Sequence, residues 1–194
     1  MPFTVEPTAI PEVLIVRPRL FVDDRGWFTE VLRTDAFEAL GAGLPTRFVQ
    51  VNQSRSERGV VRGLHFQWDP PQGKLMRVVS GRAFMVAVDV RPGSPTLGHH
   101  VAVEGSAAEP LLFWAPAQFA RGFCALDDGT AVEYFCTGVY NAACESGIRV
   151  DDPALGIEWP VGAPQLSPKD AAAGTLADWL ARPEAAAFAW RPKG

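Results

Sequence analysis

Short apolar runs, each cut off by a proline or a glycine, restrict this chain to a fold built mostly of strands. Seventeen prolines and eighteen glycines are scattered along it and do not collect in one linker. Runs this short suit strands of sandwiches and barrels better than helices of ordinary length. From Ala83 to Val90 the pattern places Phe84, Val86, Val88 and Val90 on one side of a strand. Met76 to Val79 reads as the strand before it, with Ser80-Gly81 as a hairpin turn. His99 to Val103 and Leu111 to Trp114 read as further strands. Ala131 to Tyr140 alternates again, with Val132, Tyr134 and Cys136 on one side. Helix signals are few. Thr34 caps a short helix through Phe37 and Leu40, stopped at Gly41. Ser167-Pro168-Lys169-Asp170 supplies a capping serine, a proline at the first helical position and an acid at the third. With Leu176, Trp179 and Leu180 on one face, this predicts a C-terminal helix from Pro168 to about Ala181. The sum is an all-β chain, a sandwich or barrel of the jelly-roll kind, with a pocket between its sheets.

The whole chain, 1–194, fits one domain. A hydrophobic share of 47% supplies a core and is not the mark of disorder. The net charge of -4 argues against a general nucleic-acid binder, though a few arginines can still hold a small anion in a cleft. Cys124, Cys136 and Cys144 form no CxxC pair, so free thiols in a reducing compartment are expected. Val13-Leu14-Ile15-Val16 is too short for a signal peptide or a membrane span. A cytoplasmic protein without a membrane partner is the expectation.

Only three histidines are present, and one of them, His65 in Arg62-Gly63-Leu64-His65-Phe66-Gln67, sits among other reactive groups. Imidazole titrates near neutral pH and can move a proton. A metal site would need two closely spaced histidines and a carboxylate. There is no HxH, and the adjacent His99 and His100 point to opposite sides of a strand, so no metal is expected. Tyr134 shares a face with Val132 and so points inward if Val132 does. It is then either a core tyrosine bonded to a backbone carbonyl or a general acid facing a ligand. Asp170 either satisfies the first-turn amides of its helix or orients a histidine, and the two roles are partly compatible. Lys74 opens a strand beside Gly73, where a solvated lysine is the plain reading. Arg25, Arg62 and Arg121 each precede a glycine, which lets a backbone approach closely. They are ordinary surface arginines or together an anion site.

Several segments, in their joint order and spacing, resemble the dTDP-4-dehydrorhamnose 3,5-epimerases, sugar nucleotide epimerases of the cupin-like jelly-roll class. They are DDRGWFTE (23–30), FVQVNQSRSERGVVRGLHFQ (48–67), QGKLMRVVSGRAFMVAVDVRPGSPTLG (72–98), WAPAQFARGF (114–123), VYNAACESGIRVDDPALGIEWP (139–160) and LSPKD (166–170). The resemblance implies a double-stranded β-helix acting on a dTDP-4-keto-6-deoxyhexose with no cofactor. It implies His65 as base, Asp170 as its partner, Tyr134 as the opposing acid and Lys74 near the keto oxygen. Arg25, Phe28, Glu30, Gln50, Asn52, Arg62, Arg121, Tyr140, Glu145 and Lys169 match positions of the nucleotide-sugar site. It further implies a homodimer in which the N-terminal strand region, about 1–33, contacts the partner and shares the site. An epimerase of carbon 3 alone, or a sugar-nucleotide binding module without catalysis, would keep much of the same pattern. Two positions depart from the family. Arg121 stands where histidine is common, and Val139 where a second aromatic is common before Tyr140. The tail from Ala171 to Gly194 matches only loosely.

Overall fold

A computed structural model describes residues 1–192, so Lys193 and Gly194 of the tail lie outside the described residues. The chain runs through β1 (Phe3–Pro7), β2 (Leu14–Pro18), β3 (Phe21–Asp23), β4 (Gly26–Phe28) and helix α1 (Thr34–Ala39). Next come β5 (Gln50–Ser56), β6 (Val61–Gln67), β7 (Lys74–Ser80), β8 (Arg82–Asp89) and β9 (His100–Ser106). The last strands are β10 (Leu112–Ala115), β11 (Phe119–Ala125), β12 (Thr130–Cys136) and β13 (Glu145–Gly147). Helices α2 (Pro168–Ala171) and α3 (Leu176–Leu180) and a 3-10 turn at Pro183–Phe188 close the chain. Two antiparallel sheets face each other, ordered β1-β2-β10-β7-β12-β5 and β13-β6-β11-β8-β9, and β3 with β4 forms a separate hairpin. This is the cupin-like jelly roll.

Three apolar layers hold it. Between the sheets lie Met76, Val78, Met85, Ala87, Phe113, Phe119, Phe123 and Val132. The stripe Phe84, Val86, Val88 and Val90 does share one side of β8, but it is the outer side. Leu176, Trp179 and Phe188 of the C-terminal segment cover it. Strand β8 is apolar on both faces because both faces are buried. Phe37 of α1 covers the outside of the other sheet with Leu75, Leu112 and Trp114.

Four expectations change. The hairpin at Ser80-Gly81 is not one: β7 and β8 belong to opposite sheets. Both edges of β7 are taken, by β10 and β12, so β8 crosses over and pairs with β9 and β11. The helix over 168–181 is two helices. Gly174 gives its carbonyl to the Arg149 N–H at 2.8 Å, which takes that residue out of a helical turn. A capping box between Thr175 and Asp178 then starts a new helix. Thr34 is the first helical residue of α1 and not its cap, since Arg33 holds that position. The strand expected to reach Tyr140 ends at Cys136.

Candidate active site

A cavity of about 490 Å³ opens between the sheets, with His65, Lys74, Arg121, Tyr134, Asp170, Asn52, Arg62 and Lys169 in its wall. His65 comes from β6 in one sheet, while Lys74 and Tyr134 come from β7 and β12 in the other. The base candidate and the acid candidate therefore reach one space from opposite walls.

A β-bulge makes the first wall. His65 pairs with Arg121 but Arg62 pairs with Phe123, so Gly63 and Leu64 of β6 together oppose Gly122 of β11. In a regular strand residues three apart point to opposite sides. The extra residue restores Arg62 and His65 to the same cavity. The bulge demands glycine. Gly63 has φ +139°, and a Cβ there would lie 2.7 Å from the Gly122 Cα. A Cβ on Gly122 would in turn lie 2.5 Å from the Arg62 carbonyl oxygen.

His65 Nε2 lies 2.6 Å from Asp170 Oδ1. A carboxylate only accepts, so the neutral ring carries its proton on Nε2 and presents Nδ1 as a lone pair. Asp170 is held by the helix start read from the sequence: its N–H donates to Ser167 Oγ at 3.1 Å. The cap is the Ser167 hydroxyl, which accepts from the Asp170 N–H, while the Asp170 carboxylate is turned to His65. Burial pushes the Asp170 carboxyl up, yet the hydrogen bond and charge of His65 and the Gly63 N–H outweigh it and hold it below the usual carboxylate range.

Tyr134 Oη pairs with Ser54 Oγ at 2.8 Å, a side chain and not a backbone carbonyl. Burial pushes the phenol up to about 12, against the opposing pull of Ser54 and Arg62. The Lys74 ammonium sits 5.6 Å from the centre of the Tyr134 ring. Burial, and after it the Arg121 charge, lowers Lys74 to about 8.

Arg121 is only 3% exposed. Its guanidinium donates to the main-chain oxygens of Phe119 and Gln72. Arg62 donates to Ser56 Oγ at 2.9 Å and to the Arg55 carbonyl at 3.2 Å. Lys169 pairs with Glu145, which also accepts from Tyr140 Oη at 3.0 Å. Of these three only Lys169 lines the cavity; Glu145 and Tyr140, like Gln50, lie outside its wall. Gln50 bridges Asn52 and the Tyr140 N–H at 2.9 Å each.

Arg25, Phe28 and Glu30 are not brought to this cavity. Arg25 is 90% exposed at the tip of the β3–β4 hairpin and pairs with Asp23, and Glu30 pairs with Arg33. Phe28 lies exposed on β4. Sequence reading also passed over Ser54, Met76 and Phe123, which line the cavity. Ser54 had a signal: Gln50, Asn52 and Ser54 form a period-two polar stripe along β5. Met76 and Phe123 look like any core residue and had none.

A jelly roll that brings a histidine–carboxylate pair, a lysine and a phenol to one cavity between its sheets has the architecture of the cupin-like class. Residues 7–178 match the family model described as dTDP-4-dehydrorhamnose 3,5-epimerase. The chain belongs to that family. It is 47% identical over 171 residues to a dTDP-4-dehydrorhamnose 3,5-epimerase of Neisseria gonorrhoeae, covering 88% of this chain and 52% of that protein. The chain thus spans about half the length of that relative. Against the enzyme of the same name from Shigella flexneri it is 46% identical, covering 84% of this chain and 90% of that one. Among solved structures it resembles the dTDP-6-deoxy-D-glucose-3,5-epimerase of Legionella pneumophila, in complex with dTDP-4-keto-L-rhamnose. There the TM-score is 0.90 at 42% identity, over 98% of this chain and 100% of that one.

Proposed function

We propose that this chain inverts carbons 3 and 5 of dTDP-4-keto-6-deoxyglucose through enolate intermediates, without a cofactor, in deoxysugar synthesis of the dTDP-rhamnose type. The observation that carries the proposal is that the His65–Asp170 dyad and Tyr134 reach one cavity from opposite sheets. Inversion requires removing a proton from one face of a carbon and returning one to the other. The 4-keto group acidifies carbons 3 and 5, so the substrate itself supplies the activation. His65 Nδ1 takes the proton. The C–H electron pair becomes the enolate double bond, and the carbonyl electrons move to oxygen beside Lys74. Asp170 stabilises the imidazolium that forms. Tyr134, with its phenol pushed up to about 12, is protonated at neutral pH and delivers a proton to the opposite face. Imidazolium and phenolate then exchange with solvent, which resets both. Arg62 and Lys169 are the cations suited to the diphosphate, with Asn52 and Gln50 beside them. Glu145 and Tyr140 position Lys169.

Two copies join through the β3–β4 hairpin, where Phe21, Val22, Trp27 and Phe28 are exposed together. In the pair, Arg25, Phe28 and Glu30 of one copy complete the cavity of the other. Sedimentation should therefore give about twice the 21.0 kDa chain mass, and Arg25→Ala should raise KM about tenfold. A monomer with full activity contradicts this. The unpaired thiols of Cys124, Cys136 and Cys144 support a cytoplasmic location, which recovery of the protein outside the cytoplasm would contradict.

The test of function is incubation with dTDP-4-keto-6-deoxyglucose in D2O, followed by NMR. Deuterium should enter at carbons 3 and 5. Entry at carbon 3 alone makes the chain a 3-epimerase, and entry at neither defeats the enzymatic reading.

A further inference from the structure

Two cations meet in the cavity wall with no carboxylate of their own. Arg121 and Lys74 each lack a salt-bridge partner among the described residues, and Arg121 Nε has no hydrogen-bond partner there. Arg121 is nevertheless tied down by two main-chain acceptors. It leaves β11 beside His65 and reaches across to the Gln72 carbonyl, two residues before Lys74 on the opposite sheet. The groups that face Lys74 do not neutralise the pair. From β12 come the Tyr134 ring and the Cys136 thiol, which burial pushes up and so keeps neutral. From β13 comes Glu145, already engaged by Lys169 of α2 and by Tyr140. A buried cation without a counter-charge is costly, and here the cost falls beside a reaction that develops an anion.

We infer that Arg121 is a positioning residue that acts through Lys74: its locked, permanent charge stands behind the lysine and makes the two a cradle for the enolate oxygen. This rests on the epimerase reading and adds a step to it. An ammonium held against a fixed cation gives up a proton readily. As carbon 3 loses its proton to His65, the Lys74 N–H bond breaks and an O–H bond forms at the 4-oxygen, giving an enol and a neutral amine. When Tyr134 protonates the carbon, the enol proton returns to Lys74 and the ketone re-forms. Arg121 keeps the oxygen in a positive field throughout, which a neutral histidine at this position would not.

The test is the pH dependence of kcat in the full-length protein and two variants. In the unaltered protein kcat should fall as pH rises through about 8, where Lys74 loses its proton. Arg121→Gln removes the charge. It should lower kcat on the order of 10²-fold with little change in KM, and move the alkaline limb up by about one pH unit. Arg121→Lys keeps the charge. It should leave the limb in place, with kcat within about tenfold. A folded Arg121→Gln with the limb unmoved, or with a loss confined to KM, overturns the inference. Where Arg121→Gln does not fold, Arg121→Lys decides, and an upward shift of its limb overturns it. Absence of turnover in the unaltered protein is a different failure: it removes the epimerase reading and this inference together.

Discussion

Replacing His65 with alanine should lower kcat on the order of 10⁴-fold and end deuterium entry at both carbons, while dTDP affinity stays within about threefold. The geometry separates the two effects. His65 bonds Asp170 and faces the cavity, whereas Arg62 and Lys169, the cations suited to the diphosphate, are held by other partners. Both carbons should fail together because the cavity contains one dyad. Titration calorimetry with dTDP and NMR-followed turnover would read the two quantities independently. A binding module without catalysis would have no turnover to lose, and a variant that keeps substantial exchange would show that another group is the base.

Asp170→Asn should cost about 10³-fold in kcat and forfeit, at neutral pH, the stabilisation that the ionised carboxylate gives the folded state. The helix start survives the change, because it is the Asp170 main-chain N–H that reaches Ser167 Oγ. What is lost is the acceptor that fixes the ring tautomer and the negative charge that stabilises imidazolium. An asparagine amide offers the ring a donor as readily as an acceptor and so no longer selects Nε2–H. Combined with His65→Ala, the substitution should cost almost nothing further, since the two residues act as a unit. The pH dependence of stability gives a second readout. The folded state holds the Asp170 carboxyl below its unfolded value. Its stabilisation is therefore complete above the ordinary carboxylate range and is lost as pH falls through the lowered value. Denaturation from pH 5 downward should thus be steeper in the unaltered protein than in Asp170→Asn.

Local chemistry was legible where it acts within a few residues. The serine cap and proline at 167–168 start a helix, and the shared face of Val132 and Tyr134 points inward. Long-range competition was not legible. Ser80-Gly81 looks like a hairpin turn because nothing nearby reveals that β10 and β12 occupy both edges of β7. The bulge at Gly63 is of the same kind. Period-two reasoning puts Arg62 and His65 on opposite sides, and only the facing Gly122 shows why they share one. Asp170 lies 105 residues from its partner, a pairing that composition and periodicity cannot supply and that the family resemblance pointed to. Arg25, Phe28 and Glu30 do not line the cavity of their own chain, and nothing in the local pattern around them says where they lie relative to it.

His65 and Tyr134 are proposed to serve opposite faces of one carbon, and Tyr134→Phe in D2O probes that division. The substitution should keep exchange, since His65 can still remove a proton and return solvent deuterium to the same face, while inversion slows on the order of 10²-fold. NMR of the recovered sugar should then show deuterium at carbon 3 with the starting configuration. Inversion and exchange falling together, or inversion continuing at the unaltered rate, would mean that the phenol is not the group on the far side.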